Sequence, residues 1–278
     1  MDGVLWTNEE QIPGAVAAIE NLQKAGFKTF VITNNSSDTR EQISKKLYQI
    51  GFHSITQDTI VSSGYITAHY LISKGFLSNN KKVFVVGESG LKKELLQNGI
   101  NALGEEDFPD KSLSNINIDK EISAVVVGFD STLTYRKLGI GNRIIVENDA
   151  ILIGTNCDKL QPIGNGMFVP DALPIIMALE TSSGKKAVIL GKPSEQMIFP
   201  LEKSTKMERS EMVMVGDNLF TDIKFAKNIG ARSVLVMTGV TSKDDLLKVT
   251  DSCYTPDYVI ESVALIPDLI NKINEKNG

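Results

Sequence analysis

Three short stretches of this chain carry residue types that could act together on a phosphoryl group. Thr33-Asn34-Asn35-Ser36-Ser37 follows an apolar run at 29–32, Gly191-Lys192-Pro193 follows one at 187–190, and Gly216-Asp217-Asn218 follows one at 212–215, with Asp222 a turn later. A hydroxyl beside backbone amides, a lysine and a pair of carboxylates complement a phosphate bound with a hard cation. A fourth stretch, Met1-Asp2-Gly3-Val4-Leu5-Trp6, opens the chain and adds another carboxylate. Each stretch alone reads as an ordinary polar turn or helix cap. Their order along the chain sets them apart.

For such groups to meet, the surrounding elements must deliver them to one sheet edge. Short apolar strands alternate with amphipathic helices almost throughout, the pattern of an α/β fold with a mostly parallel, doubly wound sheet. In such sheets reactive groups gather where strands end, at their carboxyl edges. Strands are expected at 29–32, 83–86, 124–129, 151–153, 187–190, 212–215, 233–236 and 258–260. The first helix is expected from near Pro13 to just before Gly26, with Val16, Ile19 and Leu22 on its buried face. The second opens on a capping box of Asp38 with Glu41, presents Ile43, Leu47 and Ile50, and ends at Gly51. A helix from Ser89 to Gly99, with the strands near 83, 124 and 151, forms a compact unit of its own. The softest joints are the polar stretches 78–82 and 181–186.

Composition narrows the classes. The 278 residues are 42% hydrophobic and 23% charged, an ordinary globular balance. A net charge of −5 without long runs of Lys or Arg gives no sign of a nucleic-acid or polyanion surface, and no nucleic-acid partner is expected. Cys157 and Cys253 lack metal-ligand spacing and are too few for a disulfide framework, which fits a reducing compartment. Apolar stretches such as 124–129 are too short to span a bilayer, and no charged-then-apolar leader opens the sequence, so a soluble cytoplasmic protein is expected. His53 and His69 are isolated, which argues against a histidine triad or a zinc site. Gly139-Ile140-Gly141 has part of a dinucleotide fingerprint, but it follows a helix and not a strand.

Read together, the four stretches resemble the motifs of the haloacid dehalogenase superfamily: D-x-D-G-V-L-W, T-N-N, G-K-P and G-D-x-x-x-x-D. The likeness extends over nearly the whole chain. The wording is similar to the subgroup of 4-nitrophenylphosphatase, phosphoglycolate phosphatase and pyridoxal phosphate phosphatase. The resemblance implies a magnesium-dependent phosphomonoester phosphatase acting on a small phosphorylated metabolite through an aspartyl-phosphate. A carboxylate attacking a dianionic ester needs a metal and cations to offset repulsion. Asp2 would then be the general acid and base and offer its backbone carbonyl to Mg2+. Thr33, Asn34 and Asn35 would bind the phosphoryl oxygens, and Lys192 would balance their charge and orient the nucleophile. Asp217 would ligate the metal directly, and Asp222 through water or by fixing Lys192.

The same resemblance implies a core domain from 1–81 and 184–278 with an inserted α/β cap at 82–183, and a possible homodimer through the cap. Asn156, Asp158 and Gln161, in the loop of Thr155-Asn156-Cys157-Asp158 and Pro162, become candidate substrate contacts. One departure is visible: the subgroup has P-G-x-G near the cap's return, where this chain has Pro170-Asp171-Ala172-Leu173, losing the backbone freedom of two glycines. The second departure is a boundary. The nucleophilic aspartate belongs immediately before Met1, together with the buried central strand that carries it. Omitting such a strand would cost on the order of 5–15 kcal/mol. The natural chain is therefore expected to start upstream. The competing reading is a catalytically inactive, phosphate- or metabolite-binding descendant, against which stands the acid/base residue Asp2, of no use to a binder.

Overall fold

The computed structural model describes residues 1–7, 10–164 and 166–277. The chain divides into two compact units: Met1–Ile32, Ser44–Val61 and Lys192–Gly278 form the first, and Thr33–Ile43 with Ser62–Gly191 the second.

The first unit is built on a parallel sheet in the order Val213–Gly216, Arg232–Val236, Tyr258–Ile260, with Gly216 opposite Leu235 and Val236 opposite Ile260. Its middle strand is buried from Ser233 to Val236, as a strand covered on both faces must be. Leu235 packs with Leu219 and Ile223, which follow the first strand directly. The apolar packing thus fixes the backbone from which Asp217 and Asp222 project. A small antiparallel hairpin pairs Trp6–Thr7 with Glu10–Gln11. Helix Ala15–Lys24 buries Ala15 and Ala18, while Val16, Ile19 and Leu22 are only half-buried.

The strands Val31–Thr33 and Ile60–Ser62 pair with each other at the chain's passage from the first unit to the second. Helix Arg40–Gln49 is capped by Thr39 with Gln42: Gln42 N donates to Thr39 Oγ1 and Thr39 N to Gln42 Oε1. The capping box therefore sits one residue beyond the Asp38/Glu41 pair, because Asp38 is drawn into a turn around Asn35.

The second unit holds an all-parallel five-stranded sheet in the order Val188–Ile189, Ile151–Gly154, Ile122–Val127, Lys82–Val86, Asn101–Leu103. Phe84, Val86, Val125, Val127 and Leu152 pack against Ile140, Ile144, Ile176 and Leu179 from helices Tyr135–Asn148 and Ala172–Ser183. Gly139 and Gly141 lie inside the first of these helices, away from any strand-to-helix turn. A hairpin of Leu160–Pro162 and Phe168–Pro170 precedes Asp171. No helix among the described residues is long and apolar enough to cross a membrane.

Candidate active site

In the first unit, Lys192, Asp217 and Asp222 come together at the carboxyl end of the three-stranded sheet. Lys192 is only 6% exposed, and its Nζ lies 2.6 Å from Asp222 Oδ1 and 3.4 Å from the carbonyl of Ile32, the residue before Thr33. The other oxygen of Asp222 accepts hydrogen bonds from the N–H groups of Asp217 and Asn218, both at 3.1 Å. Burial alone would raise the Asp222 carboxyl; Lys192, the chain's α-amino group and these donors overcome it and hold the group below the usual carboxylate range. Asp222 is thus an ionised clamp on Lys192. A π-turn over Leu219–Ile223, opened by the Asn218 side chain on Phe220 N, aims it back toward the strand end.

Asp217 is held differently. Its Oδ2 accepts from Val240 N at 2.8 Å, and its backbone carbonyl accepts from Thr241 N. The loop after Val236 can come this close only because residue 239 is glycine: a Cβ there would lie 2.0 Å from Asp217 Oδ2. Among the described residues Asp217 Oδ1 accepts no hydrogen bond. Burial and the adjacent Asp222 push the Asp217 carboxyl up, the condition that a bound cation relieves.

Asp2 sits in a turn closed by Val4 N and Leu5 N on Met1 O, with Gly3 N donating to Trp6 O. Its carboxylate is exposed and accepts from Trp6 Nε1 at 2.5 Å. Thr238 Oγ1 donates to Gly3 O at 2.5 Å, tying the turn to the same loop that supports Asp217. The Met1 α-amino group lies within reach of all these charges. Burial and Lys192 push it down, while Asp2, Asp217 and Asp222 pull it up. The loop Met237 to Thr241 was not singled out from sequence, although Thr238-Gly239 after an apolar run at 233–236 is the same kind of strand-end signal.

In the second unit, Thr33 is buried and its hydroxyl accepts from Asn35 N at 3.1 Å. Asn35 Oδ1 accepts from Ser37 N and Asp38 N. Asn34 is joined by Asn156 and Asp158, from the loop after strand Ile151–Gly154. Gln161 is not brought to this group among the described residues: it lies on the strand Leu160–Pro162, where its Nε2 donates to Pro162 O.

The donor set bears on a metal. Among the described residues no group of three or more His, Cys, Asp or Glu side chains could by itself hold one. Asp222 has both oxygens engaged. Asp217 Oδ1 and the Asp2 carbonyl oxygen remain, hard donors of the kind magnesium takes together with water and substrate phosphate.

Comparison with known proteins identifies relatives of this chain. The profile of the haloacid dehalogenase-like hydrolases matches residues 1–101, and a HAD-hydrolase-like profile matches residues 189–266. The chain is similar to phosphoglycolate phosphatase 2 of Arabidopsis thaliana, 37% identical over 97% of this chain and 91% of that protein. It is 32% identical to the 4-nitrophenylphosphatase of Schizosaccharomyces pombe, over 96% and 91% of the two chains. Among solved structures, a p-nitrophenyl phosphatase of Archaeoglobus fulgidus has a TM-score of 0.82 at 28% identity, covering 98% of this chain and 96% of that one. The chain belongs to the haloacid dehalogenase-like hydrolases, among their phosphoric monoester hydrolases.

Proposed function

We propose that the protein hydrolyses small phosphate monoesters with Mg2+ through an aspartyl-phosphate, the nucleophilic carboxylate lying one residue before Met1 as the motif D-x-D-G implies. The cluster of Lys192, Asp222 and Asp217 supports this reading most directly: a cation held by a carboxylate at a strand end, beside a second carboxylate with an oxygen to spare. Asp217 Oδ1 and the Asp2 carbonyl would hold magnesium, which when bound supplies positive charge against the phosphoryl oxygens. Lys192 adds a second positive charge, which its ion pair with Asp222 holds in place. Asp2 gives its carboxyl proton to the departing ester oxygen, then takes one from the water that attacks the phosphoryl group. Thr33, with the amides of Asn34 and Asn35, binds the phosphoryl oxygens.

Relatives name phosphoglycolate, 4-nitrophenyl phosphate and glycerol 3-phosphate as substrates of other members, and small esters of this class are the substrates proposed here. Residues 82–183, which lie within the second unit, are proposed as the cap that selects among them.

Release of 4-nitrophenol from 4-nitrophenyl phosphate by the chain extended upstream through the nucleophilic aspartate, measured with magnesium, after chelation and in Asp2→Asn, tests the proposal. Chelation should abolish turnover and magnesium restore it, and Asp2→Asn should lose on the order of 10²- to 10⁴-fold in kcat. Turnover that survives both treatments overturns the reading.

A further inference from the structure

Resting on the phosphatase reading, we infer that Asp158 and Asn156 are positioning residues for the phosphate-binding segment and not substrate contacts. Three hydrogen bonds close a ring through Asn34. Asn156 Nδ2 donates to the Asn34 carbonyl at 3.2 Å, Asp158 N donates to Asn156 Oδ1 at 3.1 Å, and Asn34 Nδ2 donates to Asp158 Oδ2 at 2.9 Å. Main chain and side chain of Asn34 are therefore both gripped, and Asn34 joins Thr33 to Asn35. Fixing it fixes where the Thr33 hydroxyl and the following amides point.

The surroundings make the ring rigid. Ser63 Oγ donates to the same Asn34 carbonyl at 2.6 Å, and Ser36 Oγ meets Thr155 Oγ1 at 3.1 Å. Thr155 and Asn156 are buried at the end of strand Ile151–Gly154. The Asp158 carbonyl is pinned by Leu173 N from helix Ala172–Ser183. Gly191 packs so closely that a Cβ on it would lie 2.8 Å from Asn34 Oδ1 and 2.4 Å from the Thr155 carbonyl. The glycine before Lys192 is thus explained by this ring. Charge points the same way. A carboxylate facing a phosphate ester would repel it, whereas one that accepts from a neutral amide works as an anchor.

The test compares Asp158→Asn, which keeps an oxygen able to accept from Asn34 Nδ2, with Asp158→Leu, which does not. Binding of inorganic phosphate is followed by calorimetry, and kcat and KM on phosphoglycolate and 4-nitrophenyl phosphate are measured with the variants placed in the chain extended upstream through the nucleophilic aspartate. A positioning role predicts that Asp158→Leu loses on the order of 10- to 100-fold in phosphate affinity and in kcat/KM, equally for both esters, because it misplaces the shared phosphoryl group. Asp158→Asn should retain most of both. Should Asp158→Leu fail to fold, Asn156→Ala carries the test, since it removes the donor to the Asn34 carbonyl and the acceptor for Asp158 N without adding charge and should weaken phosphate in the same way.

Unequal losses on the two esters, with phosphate affinity intact, would make Asp158 a leaving-group contact and overturn the inference. So would unchanged binding and turnover in Asp158→Leu. Absence of phosphate binding by the unaltered chain would instead refute the phosphatase reading, and the inference with it.

Discussion

Asp171 replaces the first glycine of a P-G-x-G stretch with a buried carboxyl, and its cost should be visible in the pH dependence of stability. The residue is 4% exposed and caps helix Ala172–Ser183, its Oδ1 accepting from Ala172 N at 2.6 Å. Burial, reinforced by Asp158, raises it from the ordinary 3.8 to about 6 against that hydrogen bond. Below the ordinary value, native and unfolded chains both hold the proton. Between there and about 6 the native state still holds it and the unfolded state has lost it, so stability falls as pH rises; above that window the penalty is constant. At about 1.4 kcal/mol per pH unit the interval amounts to about 3 kcal/mol. Asp171→Asn keeps the helix cap, since the two residues cap about equally well, and removes the titration. Urea unfolding from pH ~4 to pH ~8 should show the variant matching the parent at the acid end and exceeding it by about 2–3 kcal/mol above pH ~6. Parallel pH profiles for the two proteins would show the reasoning to be wrong.

Asp222→Ala should cost about 3–5 kcal/mol, read as a lowered unfolding midpoint, because it strips a buried lysine of its 2.6 Å ion pair and releases two backbone donors. A loss below about 1 kcal/mol, the range of exposed pairs, would contradict the burial argument. Gly239→Ala forces a methyl into the space of Asp217 Oδ2 and, in the chain extended upstream through the nucleophilic aspartate, should raise the magnesium concentration needed for half-maximal turnover while lowering kcat on the order of 100-fold. An unaltered magnesium titration would show that Asp217 does not hold the metal.

The candidate positions were legible because strand ends announce themselves: Thr33 stands directly after an apolar run, and Lys192 and Asp217 each stand one glycine beyond one. The long buried strands Lys82–Val86 and Ile122–Val127 were plain for the same reason. Strands Ile60–Ser62 and Asn101–Leu103 were not, since three residues give no periodicity to read. The Asp38/Glu41 capping box lost to Thr39/Gln42 because an Asx turn at Asn35 delays the helix. Asp158 was read as a candidate substrate contact, and its bond to Asn34, 124 residues away, leaves no local pattern to read. At Asp171 the sequence argument concerned backbone freedom, yet the residue has φ −93°, which any residue adopts. What the substitution introduces is a buried charge.

Turnover by the proposed mechanism needs an aspartate just before Met1. The direct test is hydrolysis of 4-nitrophenyl phosphate with magnesium by two proteins, this chain and one extended upstream in frame by an apolar strand ending in Asp. Phosphate binding by both proteins and turnover by the extended form alone are expected. An extended form that binds phosphate but never releases 4-nitrophenol would contradict the mechanism.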